Sequence, residues 1–297
     1  MVKTLSVKKL ISDSKMSSLE GDYIDDSYIL FLVDKNIDIY KETGELLLSF
    51  RKNVIKKKSC NLAYNSFKKA ANRTSYARGT AAGPIDIDKL PKSVAKLRPM
   101  DKTEKGVNNT KNWTYYYKKN GEKAKDQISN GVNSGIMGYY EKFRGLPCRM
   151  TSYTKQHEQQ FIDGIPFIQE INKKFRELVP DKYYTQLERA QNTDFVIADT
   201  AFSTFTINKN FQTGIHKDAG DFKEGFGNLS VLEKGDYTGG YTVFPQYGIG
   251  VDVREGDFLA MDVHEWHANT PIKLLNKEAE RISIICYLRN SIFNLCR

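Results

Sequence analysis

The sequence predicts a mainly β protein with flanking helices (α+β), whose second half closes as an antiparallel barrel or jelly roll. Three observations carry this. From about residue 195 onward, short apolar and β-branched runs recur at 195–198, 202–207, 227–232, 258–263 and 282–288. Turn signals such as Lys234-Gly235-Asp236 and Arg254-Glu255-Gly256-Asp257 separate them. One clear amphipathic helix precedes these strands instead of alternating with them, as a parallel βαβ sheet would require.

Taken in order, residues 28–33 read as a short apolar strand, and 37–40 and 45–50 flank the turn pair Thr43-Gly44. Residues 1–50 are therefore expected to form an N-terminal β-meander extension. Residues 51–76 mix Lys and Arg with Ala and scattered apolar residues, which suits a partly helical segment. Residues 78–135 are rich in Gly, Asn, Lys and Pro with little periodicity. So long an irregular stretch is unusual in a compact domain unless it serves binding, so 51–150 is read as a basic, partly irregular substrate-binding region. Phe161, Ile165, Ile168, Ile171, Phe175 and Leu178 recur at spacings of three and four, predicting a helix that Pro180 stops. Further strands at 214–216, 241–244 and 249–253 complete a core over 151–297.

Composition narrows the classes. The chain has 297 residues, with 40% apolar, 27% charged and 12% aromatic, which excludes a wholly disordered, collagen-like or disulfide-dense protein. No run approaches the ~20 apolar residues of a membrane helix, and the first residues lack the long apolar stretch of a secretory signal. An intracellular protein with no membrane partner is expected. Cys60, Cys148, Cys286 and Cys296 are widely scattered with no paired metal-ligand spacing, so all four are expected as free thiols. The net charge of +9 is concentrated: residues 51–150 hold 23 Lys/Arg against 7 Asp/Glu, a net of +16, while both flanks are slightly acidic. That block includes Lys56-Lys57-Lys58, Lys68-Lys69, Arg73, Arg78 and Lys118-Lys119, interleaved with Tyr64, Tyr76, Trp113 and Tyr115-Tyr116-Tyr117. Such a pattern suits neutralising phosphates and stacking on bases, or simply a solvated lysine-rich surface. Lys56–Lys58 also reads as a short nuclear import signal, which would place a eukaryotic protein in the nucleus.

The chemistry-bearing constellation lies in the β-rich half. The chain has four histidines, and His216, His264 and His267 fall within 52 residues. His216-Lys217-Asp218 is an H-x-D: on a strand, residues two apart project to one face, so imidazole and carboxylate approach a metal together. A second histidine about fifty residues on completes a two-His, one-carboxylate triad with adjacent coordination positions open, as non-haem Fe(II) oxygenases require. His264 and His267 compete for that place. His267, at a strand end before Ala268-Asn269-Thr270-Pro271, is the better candidate, and His264 is read as a neighbouring substrate-side or structural residue. Fourteen residues after His267 comes Arg281-Ile282-Ser283, whose fork and hydroxyl on one strand face suit a distal carboxylate such as that of 2-oxoglutarate.

These residues, with Asp221, Tyr237-Thr238-Gly239-Gly240, Phe244-Pro245, Gly256-Asp257 and Trp266, resemble the Fe(II)/2-oxoglutarate dioxygenases, and most of all their TET/JBP branch. The resemblance covers about residues 145–290 and extends more loosely to Arg78-Gly79-Thr80-Ala81-Ala82-Gly83 and Cys148-Arg149-Met150-Thr151. It implies a double-stranded β-helix (jelly-roll) core, Fe(II) held by His216, Asp218 and His267, and 2-oxoglutarate held by Arg281 and Ser283. It implies hydroxylation of the 5-methyl group of a pyrimidine in DNA, with succinate and CO2 released. Asp221 is then the candidate to face the flipped base, against the reading of a turn-forming residue after Gly220. Arg78, Gly79 and Arg149 are candidates near base, backbone or co-substrate. The target base, 5-methylcytosine or thymine, stays open. So do three rivals: a prolyl or lysyl hydroxylase of proteins, an enzyme using ascorbate as co-substrate on 5-methylcytosine, and a catalytically silent DNA-binding module.

Overall fold

The computed structural model describes residues 2–91, 110–116, 120, 122, 124, 126–143 and 145–296. Strands β1 (Lys3–Val7), β2 (Phe31–Val33), β3 (Ile37–Lys41) and β4 (Leu46–Arg51) open the chain, with helix α1 (Asp13–Ser18) between the first two. Helix α2 (Lys57–Phe67) leads to β5 (Thr74–Ser75), β6 (Val132–Tyr140) and β7 (Arg149–Met150). Helices α3 (Ser152–Gln156), α4 (Glu158–Leu178) and α5 (Pro180–Ala190) follow. The remainder is β8 (Thr204–Lys209), β9 (Gly227–Lys234), β10 (Tyr237–Gly239), β11 (Thr242–Phe244), β12 (Ile249–Val251), β13 (Phe258–Met261), β14 (Ala268–Asn269), β15 (Ile272–Leu274), β16 (Glu280–Tyr287) and helix α6 (Asn290–Leu295).

The larger sheet runs β1-β3-β4-β13-β9-β16-β8-β6-β5, with β7 on β6, and is antiparallel apart from the β1·β3 pair. The smaller runs β14-β11-β12-β2. Alternation along the strands decides which residues meet. Leu229, Val231, Leu259 and Met261 of the larger sheet pack with Phe244, Ile249 and Val251 of the smaller, forming the sandwich interior. The opposite face of the larger sheet presents Phe205, Ile207, Ile282, Ile284 and Cys286 to Phe161, Ile168, Ile171 and Phe175 of α4 and to Phe67 of α2. On β16, the helix-facing Ile282 and Ile284 alternate with Arg281 and Ser283, which face the sandwich. The result is a double-stranded β-helix backed by helices. No helix among the described residues is long and apolar enough to cross a membrane.

Several elements differ from the sequence reading. The β3–β4 meander is hydrogen-bonded onto the core, through β4 against β13. The stretch 195–198 forms no strand, and 214–216 contributes only the single bridge of His216 to His267. Pro180 ends one helix and occupies the first turn of the next, α5, where a missing N–H costs nothing. The nine-residue β6 falls at the end of the stretch read as irregular. The expectation of four free thiols is corrected: Cys148 and Cys296 form a disulfide across 148 positions, because β7 and α6 bring their Cα atoms to 5.7 Å. Cys60 and Cys286 are free and buried.

Candidate active site

The chain crosses itself at His216 and His267. Their backbones exchange two hydrogen bonds, His216 N–H to the His267 carbonyl and the reverse, each 3.0 Å. This antiparallel bridge sets the two rings 4.3 Å apart at their centroids. Asp218 N–H donates to the Val263 carbonyl at 3.0 Å, carrying its carboxylate to the same place. One oxygen lies 3.7 Å from His216 Nε2 and the other 3.7 Å from His267 Nε2. The three ligand atoms lie within 4.8 Å of one another.

The ring tautomers follow from their partners. His216 Nδ1 is 2.8 Å from the Gly214 carbonyl and His267 Nδ1 is 3.0 Å from the Glu265 carbonyl. A carbonyl only accepts, so each Nδ1 carries the proton and each Nε2 lone pair turns toward Asp218, as in protein-held metal sites. Burial, with His267 beside it, pushes the His216 imidazole down to about 4, so at neutral pH it is the uncharged form that ligates metals. The donor set, tautomers and charge state together fit a divalent cation of the iron type.

The turn carrying His267 is held from behind. Lys41 of β3 reaches Asp262 at 3.1 Å, Glu265 at 3.2 Å and Glu45 at 2.9 Å. Burial opposes its charge, yet the three carboxylates hold it above the ordinary lysine range. Asp262 also accepts the His264 backbone N–H at 3.1 Å.

A cavity of about 320 Å³ opens on the triad, between the sheets. Arg281 and Ser283 line it from β16, and Arg281 is 4% exposed with its Nε buried and unpartnered. A buried cationic donor without an acceptor costs free energy unless an anion completes it, so this wall fits a carboxylate. Arg78 enters from the 77–81 loop, its Nη2 likewise buried and unpartnered. Asp221 lines the wall beyond Asp218. Burial, then Asp218 beside it, push its carboxyl well above the ordinary range, against the opposing pull of Arg289.

Three candidates lie outside this cavity. Arg149 donates from Nη1 to the Glu141 and Pro147 carbonyls, bracing the β6–β7 hairpin. His264 puts Nε2 3.2 Å from the Phe222 carbonyl and braces the 218–222 loop. Gly79 packs against Trp113, where an added Cβ would fall 2.4 Å from the ring. Sequence reading also missed the wall formed by Asn208, Asn269, Tyr287 and Arg289. Arg289 forms a two-pronged pair with Glu141, both contacts 2.7 Å, across 148 positions, and no local spacing signals it. Of the basic block, Arg78 lines the cavity among the described residues, Lys57 pairs with Glu255 on the helical side, and Tyr117, Lys118 and Lys119 lie outside the described residues.

A jelly roll with a two-His, one-carboxylate set facing a buried arginine defines the oxygenase class built on the double-stranded β-helix. Residues 135–290 match the Tet/JBP family, described as the oxygenase domain of the 2OGFeDO superfamily, and the chain belongs to it. It is similar to the bifunctional helicase and thymine dioxygenase JBP2 of Trypanosoma cruzi (strain CL Brener), at 32% identity over 181 residues, 59% of this chain and 16% of that protein. It is also similar to the thymine dioxygenase JBP1 of Trypanosoma brucei brucei, at 36% identity over 167 residues, 54% of this chain and 19% of that one. The match thus spans less than a fifth of these relatives' length. Among solved structures, NgTET1 in complex with 5mC DNA shares the fold, with a TM-score of 0.55 at 14% identity over 88% of this chain and 78% of that one.

Proposed function

We propose that this chain is an Fe(II)- and 2-oxoglutarate-dependent dioxygenase that hydroxylates the 5-methyl group of a pyrimidine in DNA, with thymine the favoured base. The observation that carries the reading is one cavity holding both the tautomer-locked triad and the unpaired Arg281. The relatives named thymine dioxygenases support the choice of reaction.

His216, Asp218 and His267 would hold the iron, which supplies activation of dioxygen when bound. The chain's own residues do the rest. The Gly214 and Glu265 carbonyls accept from the two Nδ1 atoms and so aim both Nε2 atoms at the place where a cation would sit. Arg281 and Ser283 hold the distal carboxylate of the co-substrate, and the Arg78 guanidinium faces the same space as a second cation for an anionic group. Asp221 reads the base. Burial first, then Asp218 beside it, raise its carboxyl above the ordinary range, and in the protonated form it donates to O4 of thymine. An ionised carboxylate would instead accept from the cytosine amino group, and that is the alternative reading of the same contact.

The test is incubation of the iron-loaded protein with 2-oxoglutarate and thymine-only DNA, 5-methylcytosine DNA, or lysyl and prolyl peptides. Succinate and modified nucleosides are followed by mass spectrometry. Hydroxymethyluracil in DNA, absent without 2-oxoglutarate, is expected. Product on peptide alone, or turnover supported by ascorbate without 2-oxoglutarate, refutes the reading.

A further inference from the structure

The co-substrate wall has an acidic neighbour that the proposed function does not use. On β9, Leu229, Val231 and Glu233 alternate onto the face that looks into the sandwich, and Glu233 stands directly opposite Arg281 of β16. Directly paired residues point to one side with Cβ atoms about 4.5–5.5 Å apart, so a glutamate and an arginine there are within reach of each other. Yet Arg281 Nε is buried without a partner, and Glu233 Oε1 accepts from the Tyr237 hydroxyl instead.

Tyr237 is held in place for this contact. Its backbone pairs with Leu274 of β15, and the Arg254 guanidinium lies 4.5 Å from the centre of its ring. Arg254 is itself fixed, donating from Nε to Asp252 and from Nη2 to the Gly239 carbonyl at 3.2 Å. Burial, with Glu233 beside it and against the pull of Arg281, raises the Tyr237 phenol to about 12, so at neutral pH the hydroxyl keeps its proton and donates. Gly240, just beyond β10, packs so closely on Arg281 that an added Cβ would fall 3.1 Å from Nε. The segment 237–240 therefore meets both Glu233 and Arg281.

We infer that Tyr237 is a positioning residue for the co-substrate: by holding the Glu233 carboxylate it keeps the Arg281 fork open for the distal carboxylate of 2-oxoglutarate. Without that hydroxyl, Glu233 is an internal anion in register with the guanidinium and closes on it. A tethered carboxylate competes at high effective concentration with one arriving from solution. It would occupy the donors that the co-substrate needs. The inference rests on the proposed function, since it presumes 2-oxoglutarate at Arg281.

The experiment titrates 2-oxoglutarate calorimetrically, without oxygen, into Mn(II)-loaded wild type, Tyr237→Phe, Glu233→Gln and the double variant. Tyr237→Phe should weaken binding about tenfold, the worth of one hydrogen bond to a charged group. Glu233→Gln has no competing charge, and both it and the double variant should bind within about threefold of wild type. In turnover, Tyr237→Phe should raise KM for 2-oxoglutarate and leave kcat at saturation unchanged, because the filled site is the same. Tyr237→Phe binding as tightly as wild type, or a double variant as weak as Tyr237→Phe, overturns the inference and leaves the proposed function standing. So does a loss of about tenfold in Glu233→Gln alone, which would make Glu233 a support of the arginine. That arm decides the matter even where Tyr237→Phe fails to fold. Wild type that binds no 2-oxoglutarate overturns the proposed function and this inference together.

Discussion

Replacing Arg281 by Met tests the co-substrate wall most directly. Arg281 is 4% exposed, its Nε has no partner among the described residues, and it lines the triad's cavity. A bidentate grip on a carboxylate makes two charge-assisted hydrogen bonds, each worth about 1.5–3 kcal/mol. Their loss amounts to about 3–6 kcal/mol, or roughly a hundredfold to ten-thousandfold in affinity for 2-oxoglutarate. Arg281→Lys keeps the charge without the fork and should recover only part of this. The assay is anaerobic calorimetric titration of 2-oxoglutarate into the Mn(II)-loaded protein, paired with thermal melting without co-substrate. Because the buried Nε is unsatisfied, Met should leave the melting temperature of that form unchanged to within about 2 °C. An affinity loss below about tenfold, or a large drop in melting temperature, would show Arg281 to be scaffold.

Four further outcomes are expected. With metal chelated, His216 is neutral in the folded state down to about 4 but protonates near 6.5 when unfolded. Stability is then complete above pH 6.5 and falls as pH drops toward 4, by about 3 kcal/mol at 1.36 kcal/mol per unit. Urea melts across that window should flatten in His216→Gln. Asp221→Asn keeps a donor for thymine O4 and should retain most thymine turnover, whereas Asp221→Ala should lose about tenfold, the worth of one buried hydrogen bond. Equal turnover of thymine and 5-methylcytosine DNA by wild type and both variants would remove Asp221 from the base contact. Lys41→Met leaves Asp262 and Glu265 without their shared cation and should weaken Co(II) binding, read by visible absorption, by about 10–100-fold. Cys148→Ser opens a loop spanning 148 positions and should lower stability by about 2–4 kcal/mol, with dithiothreitol reproducing the loss in wild type.

What was legible in the sequence was local. The H-x-D of His216 and Asp218 and the Arg281-x-Ser283 pair each need only strand alternation to be read, and α4 declares itself by its apolar period. Helix α5 was missed because its buried face is partly polar: Gln186 is 1% exposed and joins the Ala201 carbonyl to the Phe226 N–H. Strand β6 was missed because Gly135 and Gly138 depress strand propensity, though a Cβ at Gly135 would strike the Tyr153 ring at 1.8 Å. The Glu141–Arg289 pair and the disulfide are long-range, so no window of sequence contains both partners. The choice between His264 and His267 turned on register, and the two-way bridge puts His267 beside His216 while His264 turns to the Phe222 carbonyl.

The Cys148–Cys296 bond has a consequence for how this molecule could be rebuilt. Every residue assigned to metal and co-substrate lies between those two positions, so they all sit on a single covalent ring whose ends are 5.7 Å apart at Cα. A rebuilt chain holding that ring alone would keep those five residues yet lose Ala77, Arg78, Thr80, Ala81 and Ile136 from the cavity wall and β6 from its pairing with β8, so the segment before Cys148 has to travel with the ring.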